Sequence, residues 1–192
     1  MNKAQLRKIY LARQKNLSPA ERNEKSRAVA EHFFRFFSLT EIKYLHCFVP
    51  IEKYKEIETP LIFGKIWREF PETETLVPRV NFRTGEIENL KYSRVTELVE
   101  NVWQIAEPGG SELIAAEKID MVLVPLLCCD RRGFRVGYGK GFYDKFLSRC
   151  RPDCLKIGLS YFEPIEIIAD INNYDVKLDY CVTPENTHNF VA

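Results

Sequence analysis

Alternating strand and helix signals predict an α/β fold: a three-layer, largely parallel, doubly wound sheet with helices on both faces. Three observations carry this expectation. Met121-Val122-Leu123-Val124-Pro125 is a continuous apolar run, the pattern of a strand covered on both faces. Shorter strand-like runs (Tyr44 to Val49, Leu76 to Val80, Lys156 to Ser160, Tyr180 to Thr183) are separated by helical stretches. The 192 residues suffice for one core of this kind, so 1–192 is read as a single Rossmann-like domain.

In chain order, the first 37 residues read as two helices, the first ending at Leu17. Ser18-Pro19-Ala20-Glu21 starts the second: Ser18 caps, Pro19 needs no N–H in the first turn, and Glu21 completes a capping box. Ala28, Val29, Ala30, Phe33, Phe34 and Phe37 give that helix a broad apolar face. Thr59-Pro60 opens a helix to about Phe70, and a turn at Gly85 makes a hairpin of the 78–83 stretch and Ile87 to Tyr92. Phe142 to Arg149 reads as a further helix.

Composition excludes several functions. Hydrophobic residues at 45% and charged residues at 29% describe a globular chain, not a disordered tail or a coiled coil. With 28 Lys+Arg against 27 Asp+Glu, no nucleic-acid partner is expected. No stretch approaches the ~20 apolar residues of a spanning helix, so no membrane partner is expected either. The N-terminus lacks the apolar run of a signal peptide. Cys47, Cys128, Cys129, Cys150, Cys154 and Cys181 contain no C-x-x-C pair, which argues against zinc and for reduced, mostly buried thiols in a cytoplasmic protein. Cys128 and Cys129 would face opposite sides of a strand.

The chemistry concentrates in residues 130–144, Asp-Arg-Arg-Gly-Phe-Arg-Val-Gly-Tyr-Gly-Lys-Gly-Phe-Tyr-Asp. Gly137, Gly139 and Gly141 let a ligand approach the backbone, whose N–H groups suit phosphate. Arg135 and Lys140 add charge, and a helix start near Phe142 would add its dipole. A Walker A loop does not fit, since Phe134 stands where its first glycine belongs and Gly141 where Ser or Thr belongs. A dinucleotide fingerprint would need glycine at Phe142. A plain glycine-rich turn with a surface lysine is the simpler alternative. Residues 1–15 hold Lys3, Arg7, Lys8, Arg13 and Lys15 and no acid, and Lys3 and Arg7 share a helix face. A charge run of this kind is ordinarily a solvated face.

These features, in order, resemble the 5-formyltetrahydrofolate cyclo-ligase (5,10-methenyltetrahydrofolate synthetase) family along nearly the whole chain. The matching residues are Lys3 and Arg7, Leu-Ser-Pro-x-Glu-Arg at 17–22, Glu56-Ile57-Glu58-Thr59, Pro78-Arg79-Val80, Ile119-Asp120 leading into Val124-Pro125, and the 130–144 segment. The resemblance implies ATP-driven closure of 5-formyltetrahydrofolate to 5,10-methenyltetrahydrofolate, with release of ADP and phosphate. ATP would be the co-substrate, Mg²⁺ the metal, and the acting unit a monomer.

Carried over, Lys3, Arg7, Arg135, Val136, Gly137, Tyr138, Gly139, Lys140, Gly141, Phe142 and Tyr143 would bind ATP. Lys140 and Arg135 would be catalytic, Lys140 through contact with the γ-phosphate. Val49, Glu56, Trp103, Tyr138, Gly139, Lys140, Gly141 and Phe142 would meet the folate. Asp144 and Asp175 would hold Mg²⁺, with Asp179 the rival of Asp175. Glu56 taken as a bare sequence feature is a surface residue, and Trp103 is equally a core indole. Phe142 in place of the commoner tyrosine, Leu126-Leu127 after Pro125, and Tyr174 beside Asp175 depart from the family pattern. An ATP-dependent enzyme for another small amide or pterin, and a non-catalytic nucleotide or folate binder, remain as alternatives. The net charge of +1 conceals two basic clusters, in residues 1–15 and 130–149, that the resemblance would gather around one triphosphate.

Overall fold

The computed structural model describes residues 1–81, 83–100, 106–109 and 111–191. Helix α1 (Lys3–Lys15) is capped by Asn2, which accepts from Gln5 N at 2.9 Å while the Gln5 side chain accepts from Asn2 N. Helix α2 (Pro19–Phe36) begins with the predicted capping box between Ser18 and Glu21. Strand β1 (Tyr44–Cys47) leads through a short turn of 3-10 helix at Glu52–Tyr54 into α3 (Pro60–Glu69). Strands β2 (Glu74–Asn81) and β3 (Glu86–Lys91) form the predicted hairpin, turning at Gly85.

Three short strands follow, β4 (Leu98–Glu100), β5 (Ala106–Pro108) and β6 (Leu113–Ile114), and then the apolar β7 (Met121–Pro125). Strands β8 (Cys128–Cys129) and β9 (Arg135–Val136) pair antiparallel across a tight turn. Helix α4 (Phe142–Leu147), β10 (Leu155–Leu159), β11 (Tyr180–Val182) and β12 (Thr187–Asn189) complete the order.

The main sheet runs β12-β11-β10-β7-β1-β2-β3-β6. Its five central strands, β11 to β2, are parallel, and β12, β3 and β6 are antiparallel edges. The chain leaves β1 through α3 to β2 on one side and β7 through α4 to β10 on the other. The switch point therefore lies between β1 and β7, where a doubly wound sheet opens its crevice.

Strand β7 is covered on both faces, as its unbroken apolar run predicts. Met121 and Leu123 pack with Phe33 of α2 and Ile62 and Ile66 of α3, whereas Val122 and Val124 pack with Phe146 and Leu147 of α4. A third cluster seats Leu6 and Tyr10 of α1 on Leu127, Cys128 and Val136. Cys128 belongs to this cluster and Cys129 to the α4 side, on opposite faces as alternation requires. Five cysteines are buried and Cys150 is half-buried. Among the described residues, no helix is long and apolar enough to cross a membrane.

Several elements end earlier than the sequence suggests, three of them for a physical reason that the hydrogen bonds show. Strand β1 stops at Cys47 because the Phe48 carbonyl accepts from Thr59 Oγ1 at 2.8 Å and Pro50 has no N–H to continue a ladder. Helix α4 stops at Leu147, not Arg149, as Arg149 N and Cys150 N tighten onto the carbonyls three residues back. Strand β11 stops at Val182, as Thr183 N turns back to the Asn186 carbonyl at 2.8 Å.

Candidate active site

The glycine segment begins on a rigid base. Asp130, fully buried, accepts from Phe134 N and Arg132 N through one carboxylate oxygen and from Ile168 N and the Arg132 guanidinium through the other. Five N–H donors on one buried carboxyl group satisfy its oxygens and close the turn between β8 and β9. Arg135 then projects from β9 into a buried position, donating to Asp144 Oδ1 at 2.7 Å and to the Val176 carbonyl. Burial pulls the Arg135 pKa down, and the Asp144 carboxylate opposes that pull. Asp144 also accepts from Val176 N at 3.1 Å, so α4 and the segment around Asp175 meet at one carboxylate.

Helix α1 reaches the same place from the other end of the sequence. Lys3 Nζ pairs with both oxygens of Asp175, at 2.6 and 2.5 Å. Arg7 Nε donates to the Gly137 carbonyl at 3.0 Å, across 130 residues. The Arg7 guanidinium lies so close to Gly139 (φ +89°) that a Cβ there would sit 2.9 Å from Arg7 Cζ. Gly137 and Gly141 by contrast face open space within 4 Å of where a Cβ would stand, leaving their backbone approachable. Lys140 is exposed at the loop tip, and its ammonium has no ion-pair partner among the described residues. The phosphate-type features are thus in the loop itself, because α4 has only six residues and adds little dipole.

Asp144 and Asp175 therefore both border Arg135, whereas Asp179 does not. Asp179 accepts from Lys156 N at 2.7 Å and pairs with Lys156 Nζ at 3.4 Å, at the amino end of β10. Asp144 and Asp175 are carboxylates of the kind Mg²⁺ takes, one or two from a protein with phosphate oxygens and water completing its shell, and here they pair with Arg135 and Lys3. No group of three His, Cys, Asp or Glu side chains suited to a metal occurs among the described residues.

Glu56 lies buried at the carboxyl end of the sheet, which corrects its reading as a surface residue. Arg22 explains the difference: its guanidinium grips Glu52 at 2.6 and 2.9 Å and donates to the Glu56 carbonyl at 3.0 Å, folding the segment inward. The Leu-Ser-Pro-x-Glu-Arg and Glu-Ile-Glu-Thr motifs are in this way parts of one assembly. Glu56 Oε2 accepts from Ile51 N at 2.7 Å, and the nearby Tyr138 hydroxyl also favours its charged form. Burial outweighs both effects and raises its pKa to about 7. A small cavity beside it is lined by Gln14, Phe48, Ile57, Pro125, Leu126 and Tyr161.

The structure brings Lys3, Arg7, Arg135, Asp144 and Asp175 to the loop of residues 137–143, and Glu56 to Tyr138. Val49 follows β1 at the same end of the sheet, half-buried against the α2–α3 core. Phe142 packs half-buried on the α4 side near Gly85. Trp103 lies outside the described residues. Sequence reasoning missed Gln14 and the buried His46–Asn89 pair. His46 Nδ1 is 2.9 Å from Asn89 Oδ1, and its Nε2 is 3.3 Å from the Tyr143 hydroxyl. Asn89 Nδ2 donates to the Ile114 carbonyl, so its oxygen accepts from His46 Nδ1–H and the Tyr143 hydroxyl donates to Nε2. Burial drives the His46 pKa down to about 3, and the ring is neutral. A histidine in an otherwise apolar strand was the available signal.

Together these features define a doubly wound α/β protein with basic side chains gathered around a glycine loop outside the carboxyl ends of its strands. The sequence matches the 5-formyltetrahydrofolate cyclo-ligase family over residues 1–184. It is 28% identical to the mitochondrial 5-formyltetrahydrofolate cyclo-ligase of Arabidopsis thaliana, covering 88% of this chain and 69% of that one. It is 26% identical to the Mycoplasma pneumoniae cyclo-ligase over 96% of this chain and 100% of the relative. The NMR structure of Aquifex aeolicus 5,10-methenyltetrahydrofolate synthetase superposes with a TM-score of 0.85 at 28% identity, covering 100% of this chain and 94% of that one. The chain belongs to the 5-formyltetrahydrofolate cyclo-ligase family, ligases of folate one-carbon metabolism.

Proposed function

We propose that the protein uses ATP to close 5-formyltetrahydrofolate into 5,10-methenyltetrahydrofolate, releasing ADP and phosphate. A formamide oxygen is a poor leaving group. Its attack on the γ-phosphorus expels ADP and leaves an imidate-like phosphate; N10 then attacks the formyl carbon, phosphate departs, and the N10 proton passes to solvent. Phosphoryl transfer asks a protein mainly for alignment and charge neutralisation, so no nucleophilic Ser or Cys is required.

The observation that carries this reading is the seating of Arg7 on Gly137 and Gly139, which joins the two basic clusters. Lys3, Arg7 and the 135–143 backbone hold the triphosphate. Lys140, unpaired at the loop tip, neutralises charge on the transferred phosphoryl group, and Arg135 fixes Asp144 beside it. Asp144 and Asp175 would hold Mg²⁺, which would supply charge neutralisation on the phosphates. Glu56, with Val49, Tyr138 and Trp103, receives the folate, its carboxylate accepting from pterin N–H groups. The unit is one domain acting as a monomer in the cytoplasm; the family match across residues 1–184 supports the domain assignment.

The test mixes protein, 5-formyltetrahydrofolate and Mg·ATP and follows methenyl absorbance beside ADP release. Both signals in equal amounts are expected. ADP without methenyl product points to another amide or pterin, and neither signal with nucleotide still bound points to a non-catalytic binder.

A further inference from the structure

We propose that Lys15 and Lys53 form a clamp for the two carboxylates at the glutamate end of 5-formyltetrahydrofolate; the inference rests on the folate reading of the neighbouring site. Within the basic run of residues 1–15, Lys3 is paired with Asp175 and Arg7 is seated on the glycine loop. Arg13 lies over the rings of Tyr10 and Phe162. Lys15, the last residue of α1, is exposed, and its ammonium lies over the Tyr54 ring, 5.5 Å from the centroid. Lys53, from the turn at Glu52–Tyr54, lies over the same ring at 5.2 Å. Tyr138 covers one face of that ring, stacked with centroids 4.7 Å apart and planes 20° apart. Both ammoniums are therefore gathered over the other face, on the far side of the stack from Tyr138.

Two like charges held near one another repel unless an anion lies between them. The protein supplies no such anion: neither Lys15 nor Lys53 has an ion-pair partner among the described residues. Glu52, next to Lys53 in the chain, is held by the Arg22 guanidinium at 2.6 and 2.9 Å. A ring face holds an exposed cation only weakly, so both charges stay available to a carboxylate. Hydrogen bonds build the convergence. Gln14, 3% exposed, donates from Nε2 to the Tyr54 carbonyl at 2.7 Å and to the Tyr138 hydroxyl at 3.2 Å. Lys55 Nζ donates to the Leu17 carbonyl at 2.6 Å. These bonds lock the Glu52–Tyr54 turn onto the end of α1 and so fix where the two lysines start.

The substrate has the chemistry this place lacks. 5-Formyltetrahydrofolate is a pterin joined through an aminobenzoyl group to glutamate, so two carboxylates sit at the end remote from the formyl group. With the pterin at Glu56 and the flat aminobenzoyl group beside Tyr138, the glutamate extends past the ring stack to the two ammoniums. The glutamate takes no part in the reaction, so the lysines decide which substrate is taken and leave the handling of ATP alone.

The experiment measures kcat/KM for 5-formyltetrahydrofolate and for 5-formyltetrahydropteroate, which lacks the glutamate. It compares wild type, Lys15→Gln, Lys53→Gln, both glutamine changes together, both lysines changed to arginine, and Lys43→Gln. Lys43 is the control, an exposed lysine 5.3 Å over the Tyr44 ring at the amino end of β1. Wild type is expected to prefer the glutamate-bearing substrate roughly tenfold, the scale of two exposed ion pairs. Each single glutamine variant should lower that preference about two- to fivefold, and the double one should bring it close to one. The arginine variant and Lys43→Gln should keep it, and the KM for ATP should stay put throughout. Added salt should shrink the preference of wild type and leave the double glutamine variant unmoved. A wild-type preference near one, or a double glutamine variant that retains it, overturns the clamp while leaving the folate reading intact. A KM for ATP that rises in the double variant also overturns it, assigning the lysines to the nucleotide. No methenyl product from either substrate with wild type overturns the folate reading, and the clamp with it.

Discussion

Replacing Gly139 with alanine tests how α1 is seated on the glycine loop. Two costs follow from the geometry. The backbone at φ +89° is left-handed, where a Cβ costs about 1–2 kcal/mol. For a chain of this size that lowers the melting temperature by about 2–8 °C. The added Cβ would also stand 2.9 Å from Arg7 Cζ, closer than carbon atoms tolerate. The guanidinium is the flexible partner, so it moves, and the Arg7–Gly137 bond of 3.0 Å is lost with its aim at the phosphates. A charge-assisted contact of this kind is worth about 1.5–3 kcal/mol, so the KM for ATP should rise between roughly tenfold and a hundredfold. Arg7→Ala should raise that KM by a similar factor with less effect on melting. If both variants act through the same guanidinium, the double variant is little worse for ATP than either single one. Steady-state kinetics with varied ATP and a thermal melt of the four proteins suffice. A Gly139→Ala enzyme with the wild-type KM for ATP, or single effects that multiply in full, refutes the reasoning.

Lys140→Ala should lose nearly all turnover while its melting temperature stays within about 2 °C of wild type, because the side chain is exposed and unpaired. A folded variant with a near-normal rate removes Lys140 from the mechanism. Asp175→Asn should raise the Mg²⁺ concentration needed for half-maximal rate, whereas Asp179→Asn should mainly lower stability, as its partner is Lys156. The reverse pattern in a Mg²⁺ titration would reassign the second carboxylate. Glu56 and His46 make opposed contributions to the pH dependence of stability. The Glu56 pKa is raised from 4.5 to about 7, so its contribution is complete below 4.5 and lost as pH rises through 7. The His46 pKa is depressed from 6.5 to about 3, so stability is lost as pH falls through that window. The two nearly cancel between pH 4.5 and 6.5. Glu56→Gln should unmask the histidine, losing about 1.4 kcal/mol per pH unit on acidification from 6.5 to 5 in urea titrations. A wild-type and a Glu56→Gln profile of equal slope contradicts this account.

Local chemistry made much of the fold legible. The Ser18–Glu21 capping box, the Gly85 hairpin and the two-faced β7 depend on neighbours within a few residues or on a simple period, and each formed as expected. The edge strands β6 and β12 were not legible, since pairs and trios of residues carry too little pattern to mark a strand. At the site, the glycine loop and its charges stood out because they are contiguous. The burial of Glu56 was not legible, because it is imposed by Arg22, 34 residues away. Gln14 and His46 went unnoticed because each is a single polar residue inside an apolar pattern, and what it bonds lies far along the chain.

The sequence by itself determined the reaction family, the order of the central strands and the helices, and the inventory of cations, carboxylates and glycines. Short-range rules and a contiguous motif suffice for these. Only the tertiary structure decided which charges meet: Lys3 with Asp175, Arg7 with the glycine loop, Arg135 with Asp144, and Asp179 with Lys156 instead. Asp175 and Asp179 are four residues apart on an irregular segment that can reach at most roughly 13 Å, enough to put one beside Lys3 and the other at the amino end of β10. Distance in space, set by the winding of the sheet, separates two aspartates that look alike in the sequence.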